Sequence, residues 1–104
     1  METLNFRFEH GVNRLVRSAG LVGVVSSGNL EILIEVSTLD GACEVEVNTA
    51  ARGFESIWQA VLNDFHVRWK LSDVHIAIND MGATPAVVSL RLDQAVESMI
   101  GNQA

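Results

Sequence analysis

From Phe54 onward the apolar residues stop alternating and recur at helical spacing. Phe54, Ile57, Trp58, Val61, Leu62 and Phe65 fall at i, i+3, i+4, i+7, i+8 and i+11, which puts them on one face of an α-helix. A stripe that wide must be buried against another layer, so it reads as core rather than as a cofactor box. The flanking sequence supplies that layer, because there the apolar period is two.

Leu4, Phe6 and Phe8 alternate with Asn5, Arg7 and Glu9, which predicts a first, half-buried strand. Gly20 to Val25 and Leu30 to Val36 are two β-branched-rich runs separated by Ser26-Ser27-Gly28-Asn29. These four residues are turn formers, so the segment predicts a hairpin with Ser27 at its tip. Cys43, Val45 and Val47 alternate with Glu44 and Glu46 after an Asp40-Gly41 turn, predicting a further antiparallel strand. Val74, Ile76 and Ile78 give another, ending at Asn79-Asp80-Met81-Gly82.

Thr84-Pro85 has the form of an N-cap followed by proline at the first helical position, where its missing N–H costs nothing. Val88, Leu92, Ala95, Val96 and Met99 then keep helical spacing to Gly101, although Val88, Leu90 and Leu92 would equally suit a short strand. Helix is the preferred reading. The expected architecture is α+β: a largely antiparallel β-sheet with two amphipathic helices packed on one face, forming a single domain over 1–104, with the other face left to meet a partner.

Composition narrows the function classes. With 104 residues, 48% of them apolar and 19% charged, the chain has what a folded core requires. A domain of this size buries only about two-thirds of its surface, which leaves little room for a deep catalytic cavity and favours a binding or carrier role. The lone Cys43 excludes an intramolecular disulfide. The opening Met1-Glu2-Thr3-Leu4-Asn5 has neither a basic n-region nor an apolar run, so a cytoplasmic location is expected. No stretch approaches the roughly 18 apolar residues of a membrane helix. The formal net charge of −6, with Lys70 the only lysine and Arg14-Leu15-Val16-Arg17 the best basic patch available, disfavours nucleic acid and suits steering onto basic partner proteins.

Candidate chemistry is sparse. His10, His66 and His75 stand at no metal-ligand spacing from one another or from Cys43, so structural or solvent roles are expected and no metal site is assigned. No G-x-S-x-G elbow or phosphate-binding glycine loop is present to support an enzyme, and no catalytic residue is assigned. His66-Val67-Arg68-Trp69-Lys70 reads as a short basic-aromatic loop whose Trp69 either contacts a partner or covers the core. Met81-Gly82-Ala83-Thr84 could present free amides to an anion, the plainer reading being an ordinary capped connection. Ser27 is the remaining candidate. Turn chemistry alone accounts for it, yet a hydroxyl among small residues between two stiff strands also offers what covalent modification needs.

At this point the chain resembles the acyl carrier (delta) subunit of malonate decarboxylase, and more distantly the acyl carrier subunit of citrate lyase. The resemblance runs almost end to end. It rests on Met1-Glu2-Thr3-Leu4, on Leu21 to Glu31 around the hairpin, on Trp58-Gln59, on Asp80-Met81-Gly82-Ala83-Thr84-Pro85 and on Arg91-Leu92-Asp93-Gln94-Ala95. It implies a non-catalytic carrier whose Ser27, beside Gly28 and Asn29, holds phosphoribosyl-dephospho-coenzyme A through a phosphodiester bond. The chain has Ser26 where the family has glycine, Asn29 where it has aspartate, and Met81 where an aromatic is usual. Implied partners are the acyl transferase and decarboxylase subunits and the transferase that attaches the group. Acetate is exchanged for malonate at one subunit, and the malonyl thioester is decarboxylated at others. An unmodified scaffold subunit of the same fold is the competing reading, and a hydrolase using Ser27 as nucleophile a weaker third.

Overall fold

The computed structural model describes residues 1–15, 20–27 and 29–101, with the backbone alone for 20–27 and 99–101. In chain order the elements are β1 (Glu2–Phe8), β2 (Asn13–Arg14), β3 (Gly20–Ser27), β4 (Leu30–Val36), β5 (Cys43–Thr49), α1 (Glu55–Trp69), β6 (Leu71–Ser72), β7 (Val74–Asp80) and α2 (Pro85–Gly101). Five strands form one sheet in the order β1-β5-β7-β4-β3, and β2 pairs with β6 in a separate two-residue ladder. Every neighbouring pair of the large sheet is antiparallel except β5 with β7. The expected α+β class therefore holds.

Two local expectations change. The Asp40-Gly41 turn, with both residues at positive φ (55° and 82°), does not fold β5 back onto β4. The strand β7 lies between them, paired with β4 on one side and β5 on the other. Its Val74, Ile76 and Ile78 are fully buried, and a central position suits a strand with that much apolar surface to cover. The crossover from β5 to the parallel β7 is made by α1, as parallel pairs require. The second change concerns His66 to Trp69, which is not a loop but the last turn of α1. The helix stops only at Lys70, whose left-handed conformation (φ 46°, ψ 49°) lets its N–H reach the His66 carbonyl at 2.7 Å.

Alternation places Leu4, Phe6, Ile32, Ile34, Val45 and Val47 on the same side as the buried β7 residues, and both helices cover that side. From α1 come Trp58, Leu62 and Phe65, and from α2 Val88, Leu92, Ala95 and Val96. Each large side chain so buried contributes about 1.5–3 kcal/mol relative to exposure. In α2 the strand alternative fails on burial: Val88 and Leu92 are buried while Leu90 between them is 53% exposed, a helical pattern. Pro85 is the first helical residue, and the Val87 N–H donates to Thr84 Oγ1 at 3.3 Å, the cap that the sequence predicts.

Candidate functional site

Where the hairpin closes, Ser27 pairs with Leu30 and Ser26 with Glu31, so only positions 28 and 29 connect the strands. Ser27 thus ends β3 and is not at the tip. Two-residue connections match the right-handed twist of the flanking strands, and the turn formers Ser26 and Ser27 are drawn into the ladder. Gly28 and the Ser27 side chain lie outside what the structure describes. Asn29 is exposed, and its carbonyl accepts a hydrogen bond from the Met81 N–H at 2.9 Å. On the next strand Leu30 faces Asp80. The turn is therefore pinned to the connection that leads into α2.

Asp80 organises that connection. It is 3% exposed and takes a hydrogen bond from the Thr49 hydroxyl at 2.8 Å and from the N–H groups of Gly82 (3.1 Å) and Ala83 (2.8 Å). The Met81, Gly82 and Ala83 amides are thus all used internally, as the preferred reading of an ordinary capped connection expects, and the alternative of free amides for an anion falls away. Neither Thr49 nor Asp80 was among the sequence candidates. A signal existed: each occupies the inward position at the end of an otherwise apolar alternation, Cys43-Val45-Val47-Thr49 and Val74-Ile76-Ile78-Asp80. A buried polar residue needs a partner, and the adjacent strands β5 and β7 supply each to the other.

Above this pair an apolar groove of about 250 Å³ opens between the first turns of α1 and α2, lined by Phe54, Ile57, Trp58, Val61, Pro85 and Val88. Phe54 is 45% and Ile57 41% exposed. The helical stripe is thus core only from Trp58 through Leu62 to Phe65. Its N-terminal end is groove wall, because the first turns of the two helices are not closed on each other there.

On the opposite sheet face a row of side chains crosses four strands. The Thr3 hydroxyl donates to Asn48 Oδ1 (2.8 Å), Asn48 Nδ2 to Asn79 Oδ1 (3.3 Å), and Asn79 Nδ2 to Glu31 Oε1 (3.1 Å). In the backbone register Glu31 is in turn the partner of Ser26 on β3. The chain thereby orders the strands next to the hairpin on the side away from the helices.

The remaining candidates are scattered. His66 stacks on Phe8 with ring centroids 4.9 Å apart, and burial, with Lys70 nearby, holds its pKa below the usual imidazole value. His75 is half-buried between Glu44 and Glu35 on the open face, and His10 is exposed. Cys43 is fully buried, which pushes its thiol pKa up to about 12, with Glu44 adding to the effect. Trp69 is a covering residue: its Nε1–H donates to Asp93 Oδ1 at 2.8 Å and ties α1 to α2. Among the described residues no group of three His, Cys, Asp or Glu side chains is arranged to hold a metal ion.

Residues 17–99 match the malonate decarboxylase delta subunit (MdcD) family. The chain belongs to that family. The malonate decarboxylase acyl carrier protein of Stenotrophomonas maltophilia (strain K279a) is 61% identical over 104 residues, covering 99% of this chain and 98% of the relative. That of Xanthomonas euvesicatoria pv. vesicatoria (strain 85-10) is 59% identical over the full length of both. Among solved structures, one chain in the crystal structure of a Pseudomonas malonate decarboxylase hetero-tetramer in complex with malonate superposes with a TM-score of 0.75 at 38% identity, covering 95% of this chain and 99% of that one. An acyl carrier of the malonate decarboxylase delta subunit family works through a covalently attached group, and the geometry fits one. The turn is short and pinned, Asn29 beside it is exposed, and no atom of the described residues outside the adjoining chain lies within 4 Å of where a Cβ on Gly82 (φ 114°) would stand.

Proposed function

We propose that this chain is the acyl carrier subunit of a malonate decarboxylase, a non-catalytic cytoplasmic protein of one domain carrying phosphoribosyl-dephospho-coenzyme A on Ser27. The observation that carries this reading is the match, over nearly the whole of both chains, to relatives that bear the name acyl carrier protein. The pinned hairpin supports it by giving an arm a fixed base. The group supplies a thioester on which acetyl or malonyl is held, and the thioester carbonyl delocalises the charge that develops on decarboxylation. The residues of the chain do the positioning. The strands β3 and β4 hold Ser27 at the end of a paired ladder, Asn29 accepts the Met81 N–H through its carbonyl, and Asp80 fixes the loop beneath. A tethered thioester reaches partner sites at an effective concentration on the order of millimolar, so neither partner needs high affinity for a free intermediate. The partners are the acyl transferase and decarboxylase subunits, approached by an acidic surface, together with the transferase that attaches the arm.

The intact mass of the chain from its native cells, followed by peptide mapping of Gly20 to Glu31, tests this. The expected result is an increment equal to the phosphoribosyl-dephospho-coenzyme A group, lost in Ser27→Ala. A group on Ser26, the residue paired with exposed Glu31, would move the site by one residue. An unmodified chain in cells that decarboxylate malonate through this complex would overturn the carrier reading in favour of a scaffold.

A further inference from the structure

We infer that the apolar groove between the first turns of α1 and α2 is a resting site for the thioester end of the chain's own arm, and that it takes the acetyl form in preference to the malonyl form. The inference rests on the carrier reading above.

Three observations lead to it. The groove and the hairpin turn lie at the same end of the sheet: β5 ends there at Thr49, β7 at Asp80 and β3 at Ser27. Two strand spacings separate Ser27 from Asp80 through Leu30, about 10 Å, and the loop on the groove's lip is bonded to the turn through Met81 and Asn29. A group anchored at Ser27 is thus held beside the groove at high effective concentration, so weak apolar contact is enough to seat it. The second observation is size. At about 250 Å³ the groove is below the usual range for whole ligands, about 300–1,000 Å³, and suits a short acyl-cysteamine end but not the nucleotide.

The third observation is the chemistry of the lining. Ile57, Trp58 and Val61 give an apolar wall; among the described residues no Arg, Lys or His lines the groove, and the one ionisable group there, Asp80, is already bonded to Thr49, Gly82 and Ala83. An acetyl group fits such a wall. A malonyl carboxylate would be desolvated beside Asp80 with no cation to pair it, and an unpaired buried charge is strongly disfavoured. Exchange of acetyl for malonyl would therefore drive the arm out of the groove and leave its cargo exposed to the decarboxylating subunits.

The test compares the full-length chain in three states, unmodified, acetyl-loaded and malonyl-loaded, with intact mass recorded for each and the two indole N–H signals followed by NMR. Acetyl loading is expected to shift the Trp58 indole and the Ala51 and Ala83 amides while the Trp69 indole stays in place, and malonyl loading to shift them several-fold less. Ile57→Glu, at a position 41% exposed and so compatible with folding, is expected to abolish the acetyl-induced shift while leaving attachment of the arm intact. Shifts confined to the hairpin in the acetyl state, or equal groove shifts in both acyl states, would overturn the inference with the carrier reading untouched. If native chain never carries the group, the carrier reading fails and the resting site with it.

Discussion

The two ends of the helical layer continue one apolar stripe on α1 and finish differently. At the C-terminal end of α1, Arg68 Nη2 donates to Asp93 Oδ1 (2.9 Å) and Ser89 Oγ (3.2 Å), Arg68 also pairs with Asp64, and the Trp69 indole shares the same Asp93 oxygen. At its N-terminal end no side chain caps the helix, and Phe54 and Ile57 face an open groove. One carboxylate on α2 gathers three donors from α1 and seals its end. At the other end the facing helix turns present only apolar side chains to each other, above the Thr49–Asp80 pair, and apolar walls alone do not specify closure. A carrier domain can use both, since a rigid end fixes the helices to the sheet and an open end leaves a surface beside the turn.

The same chemical change at each end gives the largest contrast. Phe65→Ala at the sealed end removes a side chain that is 1% exposed, and a loss of about 3–5 kcal/mol is expected. Phe54→Ala at the open end removes one that is 45% exposed, with an expected loss below about 1 kcal/mol. Urea unfolding of the two variants measures both. Equal losses would mean that the groove closes in solution and that the two ends do not differ.

A smaller effect tests what seals the closed end. Asp93→Ala leaves the Trp69 N–H and the Arg68 guanidinium without their shared acceptor, and about 1–3 kcal/mol should be lost. Asp93→Asn keeps an acceptor oxygen and should lose less. If Asp93→Ala unfolds at the wild-type urea concentration, apolar packing alone closes that end.

How much of this was legible in the sequence follows from the same contrast. The period-2 strands and the stripe Trp58, Leu62, Phe65 were readable because burial imposes a local period. The order of the strands was not, because β7 inserts between β4 and β5 through pairings more than 25 residues apart in sequence for β5 and more than 35 for β4. The end of α1 is not legible for a local reason: Lys70 stops the helix by taking a left-handed conformation that no glycine or asparagine in the sequence announces. At the candidate site Ser27 stood out from its turn-like neighbours and the resemblance. Asp80 did not, since its role depends on Thr49 from another strand, and the groove is a property of two helices whose relative closure no single segment encodes.

The smallest expected effect lies in the pH dependence of the sealed end and its neighbouring loop. Asp73 accepts the Leu39 N–H (2.9 Å) and the Gly41 N–H (3.0 Å), and these bonds, with Arg14 nearby, hold its carboxyl below its ordinary value of 3.8. A group depressed on folding stabilises above its unfolded pKa and loses that contribution as pH falls through the folded value. His66, also depressed, follows the same sign in a higher window, below about 6.5. Urea midpoints should therefore fall in two steps on acidification, the first removed by His66→Phe and the second by Asp73→Asn. Because the Asp73 bonds organise the Leu39 to Gly41 turn at the same end of the sheet as Lys70 and Cys43, Asp73→Asn should leave the Trp58 signals of the groove unchanged at neutral pH. A change there would show that the two ends are coupled through the sheet.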